Sequence, residues 1–148
     1  MKIHQISIFI ENKPGSLKAP CRALADAGIN ILTLSVADTR DYGIVHFIVD
    51  DWRRAKDVLE NDGLVVNVAE VVALEVDDRP GGLADMLSVI EEGGLSIEYM
   101  YAFTFGAGGK AVLVFRFKDP DPAIAHLSRA GISLFDIPAL MARCVGGD

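Results

Sequence analysis

Glu11-Asn12-Lys13-Pro14-Gly15-Ser16-Leu17 is written twice in this chain, the second time as Asp77-Asp78-Arg79-Pro80-Gly81-Gly82-Leu83, 66 residues later. Each copy follows an apolar run of strand character, Ile6 to Ile10 or Val71 to Val76. Each precedes a segment of helical period, Leu17 to Ala27 or Leu83 to Glu92. The register holds beyond the loop: Gly28-Ile29-Asn30-Ile31 falls on Gly94-Leu95-Ser96-Ile97, and Gly43 falls on Gly109. A two-residue slip near the second helix then aligns Gly63-Leu64 with Gly131-Ile132. A repeat of this length is a whole folding unit, not a small solenoid repeat. The sequence therefore predicts two copies of one small domain, 1–70 and 71–148, the second with a short C-terminal tail.

Within the first copy, Lys2 to Ile10 alternates as a half-buried strand does. Pro14 suits a first helical position, where its missing N–H would be unpaired anyway. The helix carries Leu17, Cys21, Leu24 and Ala25 as one stripe and stops at Gly28, a residue suited to a left-handed cap. Strands follow at 29–36 and 44–49. A helix over 52–60, capped by Asp50 or Asp51, turns Trp52, Ala55, Val58 and Leu59 inward, and a short strand covers 64–68. The second copy repeats the order with strands at 71–76, 95–105, 110–117 and 132–135 and helices at 81–92 and 122–130. A short helix over 139–143 is expected in the tail. The predicted class is α+β: two ferredoxin-like βαββαβ units, each an antiparallel sheet with helices on one face. Glu70 alone separates one unit's last strand from the next unit's first. The second and third strands are apolar on both sides, as in Ile31-Leu32, Leu34, Val36 and Ala111 to Phe115. A long apolar edge needs a partner, which predicts edge-to-edge pairing into a larger sheet, between copies or between chains.

Composition narrows the function. The chain has 148 residues and a formal charge of −7, with neither half basic, which argues against a phosphate-backbone partner. No apolar run approaches the ~20 residues of a membrane span, and the start Met-Lys-Ile-His-Gln is unlike a signal peptide. Cys21 and Cys144 form no metal-type pair and suggest no disulfide scaffold, so two reduced thiols in a cytoplasmic protein are expected.

Other constellations carry less. His4, His46 and His126 sit on separate elements without metal-ligand spacing. Tyr99, Tyr101, Phe103 and Phe105 alternate along one strand face, but the basic residues of an RNA-binding sheet are missing, and packing is their expected role. Gly106-Ala107-Gly108-Gly109 joins two strands with no helix behind it to hold a phosphate. No nucleophile–base or paired-carboxylate arrangement points to catalysis, and no cofactor or metal site is expected.

The apolar strand, Asn12, Pro14-Gly15-Ser16-Leu17, the helix and Gly28-Ile29-Asn30-Ile31 together resemble the ACT domain family of amino-acid-sensing regulatory modules. The resemblance covers both repeats and implies a free-standing tandem protein without a catalytic domain. It also implies that an amino acid binds where two modules sit edge to edge, the loop of one facing the helix–strand turn of the other. The implied residues are Asn12, Pro14, Gly15, Ser16, Leu17, Asn30 and Ile31, with Asp78, Gly81, Gly82, Leu83 and Ser96 from the second copy. The chemistry fits. Free N–H groups at a helix start suit a carboxylate, and an Asn amide both donates and accepts, as a zwitterion demands. Gly15 would let a ligand approach closely.

The second copy departs from this pattern. Asp78 only accepts when ionised, Ser96 is shorter than Asn30, and Gly82 replaces Ser16. If the copies pair, Asn12 meets Ser96 and Asp78 meets Asn30, giving two unequal sites. The competing explanation is that Asn12 and Asp78 simply cap their helices. The expected function is a non-enzymatic amino-acid-binding regulator whose partners are a free amino acid and a second copy of the chain. The alternative is a small regulatory subunit that docks on an amino-acid biosynthetic enzyme through its apolar sheet surface.

Overall fold

The computed structural model describes residues 2–38 and 40–145. The chain divides into two compact units, one spanning His4–Ala69 and the other running from Glu70 onward, joined by Lys2 and Ile3. Lys2 belongs to the second because its ammonium lies 3.0 Å from the Glu70 carboxylate and 2.8 Å from that of Asp121.

The first unit follows the expected order: β1 (Ile3–Glu11), α1 (Lys18–Asp26), β2 (Ile31–Asp38), β3 (Tyr42–Val49), α2 (Trp52–Asn61) and the start of β4 (Val66–Asp77). Its strands lie in the order β2-β3-β1-β4, and β1 and β2 each pair antiparallel with β3. The second unit uses the rest of β4, then α3 (Gly82–Glu92), β5 (Ile97–Ala107), β6 (Lys110–Phe117), α4 (Pro120–Arg129) and β7 (Leu134–Phe135), with strand order β7-β4-β6-β5. These are two ferredoxin-like sheets of the same topology, with β2 and β5 at their edges.

Each unit has its own core. Ile6, Ile8, Leu24, Val45, Phe47, Ala55 and Leu59 close the first, with Trp52 and Val58 packed against them. Val72, Leu74, Ile90, Phe115, Phe117 and Leu127 close the second. Of the two expected caps, Asp51 is the one that caps α2, its carboxylate accepting from the Arg54 N–H at 3.2 Å.

Four features differ from the sequence reading. The strands expected at 64–68 and 71–76 are one strand of 12 residues. No Gly or Pro stands between Leu64 and Asp78 to break it, so Glu70 is a strand residue. The slip between the copies lies in the β5–β6 hairpin rather than near the second helix. Glu11 pairs with Tyr42 whereas its counterpart Asp77 pairs with Lys110, and the register shifts between Ala102 and Gly106. Gly43 therefore sits inside β3 while Gly109 turns a hairpin, and the two are not equivalent. Pro14 lies in a turn before α1; the proline in the first helical turn is Pro20, where a missing N–H is tolerated.

The fourth concerns the tail. It forms α5 (Ile137–Val145), longer than the 139–143 expected. Leu140 is fully buried, Arg143 ion-pairs with Glu75, and its guanidinium lies 5.8 Å over the Phe135 ring. Leu74 and Leu134 point into the helix-covered core, and Ala73 pairs with Phe135 on the other side of β4. Side chains alternate along a strand, so Glu75 and Phe135 face away from α3 and α4. The second sheet thus carries a helix on the face expected to carry none.

Candidate functional site

The β1–α1 loop is shaped by its backbone. The Asn12 N–H donates to the Asp41 carbonyl at 3.0 Å, Ser16 N–H to Lys13 at 3.3 Å and Ala19 N–H to Gly15 at 3.2 Å. Gly15 has φ +87° and its counterpart Gly81 has φ +86°, so both copies make the same left-handed turn. Glycine at 15 answers to that backbone: open space surrounds the place a Cβ would take.

The capping explanation fails in both copies. Leu17 caps α1 and Gly81 caps α3, neither with a side-chain bond, so Asn12 and Asp78 are not helix caps. Asn12, Pro14 and Gly15 are exposed, Ser16 is half-buried, and Leu17 packs against the first core. Its counterpart Leu83 is exposed.

The other half of the expected site, the α1–β2 turn, lies at the far end of α1. Nine helical residues span about 13 Å, so Asn12 and Asn30 do not meet within a repeat. The Asn30 N–H donates to the Asp50 carboxylate at 3.1 Å, and its carbonyl accepts from the Asp50 N–H at 3.2 Å. This fixes the turn and leaves the side chain exposed; Ile31 packs on the core. The Ser96 carbonyl likewise accepts from Lys118 N–H at 3.0 Å, beside a cleft of about 240 Å³ lined by Gly94, Ser96, Lys118 and Asp119.

Beneath each duplicated loop lies a cleft that sequence reasoning missed. The first, about 380 Å³, is bounded by Phe9, Ile10 and Glu11 at the end of β1, Lys13 and Ser16 in the loop, Ala19 and Pro20 in α1, and Asp62 and Leu64 in the α2–β4 turn. The second, about 250 Å³, is bounded by the corresponding Glu75, Val76, Asp77, Gly82, Asp85, Met86 and Ile132, with Lys110. The signal was the repeat itself: extending the alignment to the α2–β4 turn brings Leu64 onto Ile132, beside each cleft.

The two loops above these clefts are built differently. In the second, Arg79 donates to Asp85 at 2.7 Å and to the Pro80 carbonyl at 3.2 Å, and stands 3.4 Å from Asp77. Lys110 also pairs with Asp77 and holds its carboxyl below the usual range, while Asp85 raises the guanidinium's pKa further. The Asp78 N–H donates to Gly109 at 2.8 Å. A Cβ on Gly82 would lie 1.9 Å from the Asp77 carbonyl oxygen, so only glycine lets α3 start there, two positions earlier than α1. In the first loop Ser16 stands at that place and Ala19 replaces Asp85, so Lys13 pairs only with Glu11, at 2.8 Å, among the described residues.

The histidines are spread over the fold. His4 stacks on Trp52 at 4.6 Å, and the His126 Nε2 lies 2.8 Å from the Val89 carbonyl. His46 Nδ1 lies 2.7 Å from the Ser7 hydroxyl and 3.1 Å from the Gln5 amide, and burial lowers its pKa. Among the described residues no group of His, Cys, Asp and Glu is placed to hold a metal ion, and no helix is long and apolar enough to cross a membrane. Burial pushes the Cys21 thiol up and the Tyr101 phenol well up; the side chains of Phe105 and Cys144 lie outside those described.

The family model of the ACT domain pair matches residues 1–135, leaving α5 beyond it. No curated protein matches the sequence. Among solved structures, a protein from Bacteroides thetaiotaomicron is 34% identical, with a TM-score of 0.88 over 95% of this chain and 96% of its own. The regulatory subunit of aspartate kinase from Thermus thermophilus, in its ligand-free form, is 19% identical with a TM-score of 0.64 over 86% of this chain and 91% of its own. That from Thermus flavus is 17% identical with a TM-score of 0.62, covering 88% and 94%. The latter two likenesses concern the fold. With the duplicated loop, the two βαββαβ units and the family match in agreement, the chain belongs to the ACT-domain-pair family.

Proposed function

We propose that this protein is a non-enzymatic regulator that binds a free amino acid at the loop after the first strand of a repeat, opposite the helix–strand turn of another. The observation that carries this reading is the duplicated turn: Asn12 and Asp78 each stand three residues before a left-handed glycine, and neither is the capping residue of its helix. An amide or carboxylate beside free helix N–H groups suits the paired charges of an amino acid. Pro14, Gly15, Ser16, Leu17, Asn30 and Ile31 make up one contributing set, and Asp78, Gly81, Gly82, Leu83 and Ser96 the other. Membership in the ACT pair family supports a regulatory role, and regulatory subunits of aspartate kinase share the fold.

A thermal-shift screen of the purified chain against the twenty amino acids tests it. At a hundredfold excess over Kd a ligand adds ~2.7 kcal/mol, enough to raise Tm by several degrees. Asn30→Ala is expected to weaken binding and leave the apo Tm unchanged, because the Asp50 bonds to residue 30 involve only backbone atoms. No shift with any amino acid at millimolar concentration contradicts the reading.

A second reading, a regulatory subunit docking on an enzyme or a second copy, is favoured by the β2 edge. Leu34 and Val36 are 41% and 46% exposed there, and Phe9 nearby is 50% exposed. Co-purification with a large partner would support it, and a clean monomer by light scattering would argue against self-association. The family and the fold fit a cytoplasmic role.

A further inference from the structure

The clefts beneath the duplicated loops occupy the same place in each repeat but differ in what they offer. Five of the nine residues bounding the first are apolar: Phe9, Ile10, Ala19, Pro20 and Leu64. Charge enters only at the rim. Glu11 and Lys13 neutralise each other, and Asp62 makes no ion pair among the described residues. Ser16, half-buried, adds a hydroxyl. The cleft is an apolar floor with one unmatched carboxylate, one exposed Lys13–Glu11 pair whose ammonium a ligand carboxylate can share, and one hydroxyl at its mouth. Its volume, about 380 Å³, falls in the roughly 300–1,000 Å³ range of small-molecule sites.

The second cleft is smaller; Val76, Met86, Val89 and Ile132 line it as well, and its charged residues are Glu75, Asp77, Asp85 and Lys110. Each of these is committed: Glu75 to Arg143, Asp77 to Lys110 and Arg79, Asp85 to Arg79. Its rim is already paired by the chain's own cations.

We propose that the first-repeat cleft binds an amino acid with an apolar side chain of leucine-to-phenylalanine size, and that in the matching second-repeat cleft Arg79 latches the rim carboxylates Asp77 and Asp85 that an ammonium would need. The ligand's side chain lies against Ile10, Pro20 and Leu64. Its ammonium faces Asp62 and its carboxylate faces Lys13 and Ser16. This rests on the amino-acid-binding reading above and names the ligand class and the occupied repeat.

The test is calorimetry and thermal shift on the full chain, using leucine, isoleucine, valine, methionine and phenylalanine against aspartate, glutamate, lysine, serine, threonine and glycine at equal concentration. The apolar set is expected to raise Tm and the polar set to leave it unmoved. Asp62→Asn, an exposed and near-isosteric change, is expected to weaken binding about tenfold or more, because it removes the only rim carboxylate free to pair with the ammonium. Leu64→Ser should do likewise, with its apo Tm measured to separate folding from binding. Stabilisation by polar amino acids alone overturns the ligand class and leaves the functional reading standing. Apolar binding that neither variant alters overturns the cleft. Stabilisation by no amino acid overturns both.

Discussion

The two β1–α1 type loops share a sequence pattern and a left-handed glycine, yet one is open and the other is locked. Three substitutions account for the difference. Gly82 in place of Ser16 lets α3 begin two positions early against the Asp77 carbonyl. Asp85 in place of Ala19 gives the loop cation a second carboxylate. Arg79 in place of Lys13 reaches both, because a guanidinium has five donors in a fork and an ammonium is a single point. A duplicated motif therefore does not imply a duplicated site: the backbone turn was kept while the side chains beside it diverged.

The largest effect should come from the helix start. Gly82→Ala places a methyl carbon on a backbone oxygen and is expected to cost about 2–3 kcal/mol in urea unfolding, against less than about 0.5 kcal/mol for Ser16→Ala. Equal effects would mean that the two loops start their helices alike. The left-handed turn is the shared element, so Gly15→Ala and Gly81→Ala should each cost about 1–2 kcal/mol, and by similar amounts.

A smaller contrast separates the opposite faces of the two sheets. Gln5, Ser7 and His46 form a polar cluster in the first repeat, where the second has Val71, Ala73 and, by strand register, Val114. The ring accepts at Nδ1 from Gln5 and is held neutral, its pKa below the ordinary 6.5 because burial disfavours the cation. The unfolded chain takes up a proton there before the folded one does. Stability from this group is thus complete above about pH 6.5 and declines as pH falls from there toward the folded value. Urea midpoints at pH 7.5 and 5.5 should differ more for the natural chain than for His46→Gln; equal slopes would contradict it. The smallest effect is Arg79→Ala. Its ion pairs are exposed, so a slight fall in Tm that vanishes in high salt is expected, and a salt-independent fall would argue for a buried role.

Much of this fold was legible. Helix period, the Asp51 cap and the glycines after α1 and α3 place the elements nearly where they lie. What escaped the reading depended on contacts between distant residues. The repeat placed a boundary at Glu70, but pairing with neighbouring strands carries β4 through it. The bulge in β5 moves the hairpin register by two and cannot be placed from one strand alone. Arg79 looked like any basic loop residue until the fold brought Asp77 and Asp85 to its two sides. The Asn12 turn was recognised, whereas the cleft below it needed Asp62 and Leu64 from half a domain away.

The central claim is that one repeat binds and the other is self-latched, and calorimetric titration of the full chain with leucine reads it directly. One leucine per chain is expected, with binding retained in Arg79→Ala and abolished in the double variant Lys13→Arg/Ala19→Asp, which carries the latch into the first repeat. Two leucines per chain, or binding that survives the transplanted latch and is lost in Arg79→Ala, would contradict it.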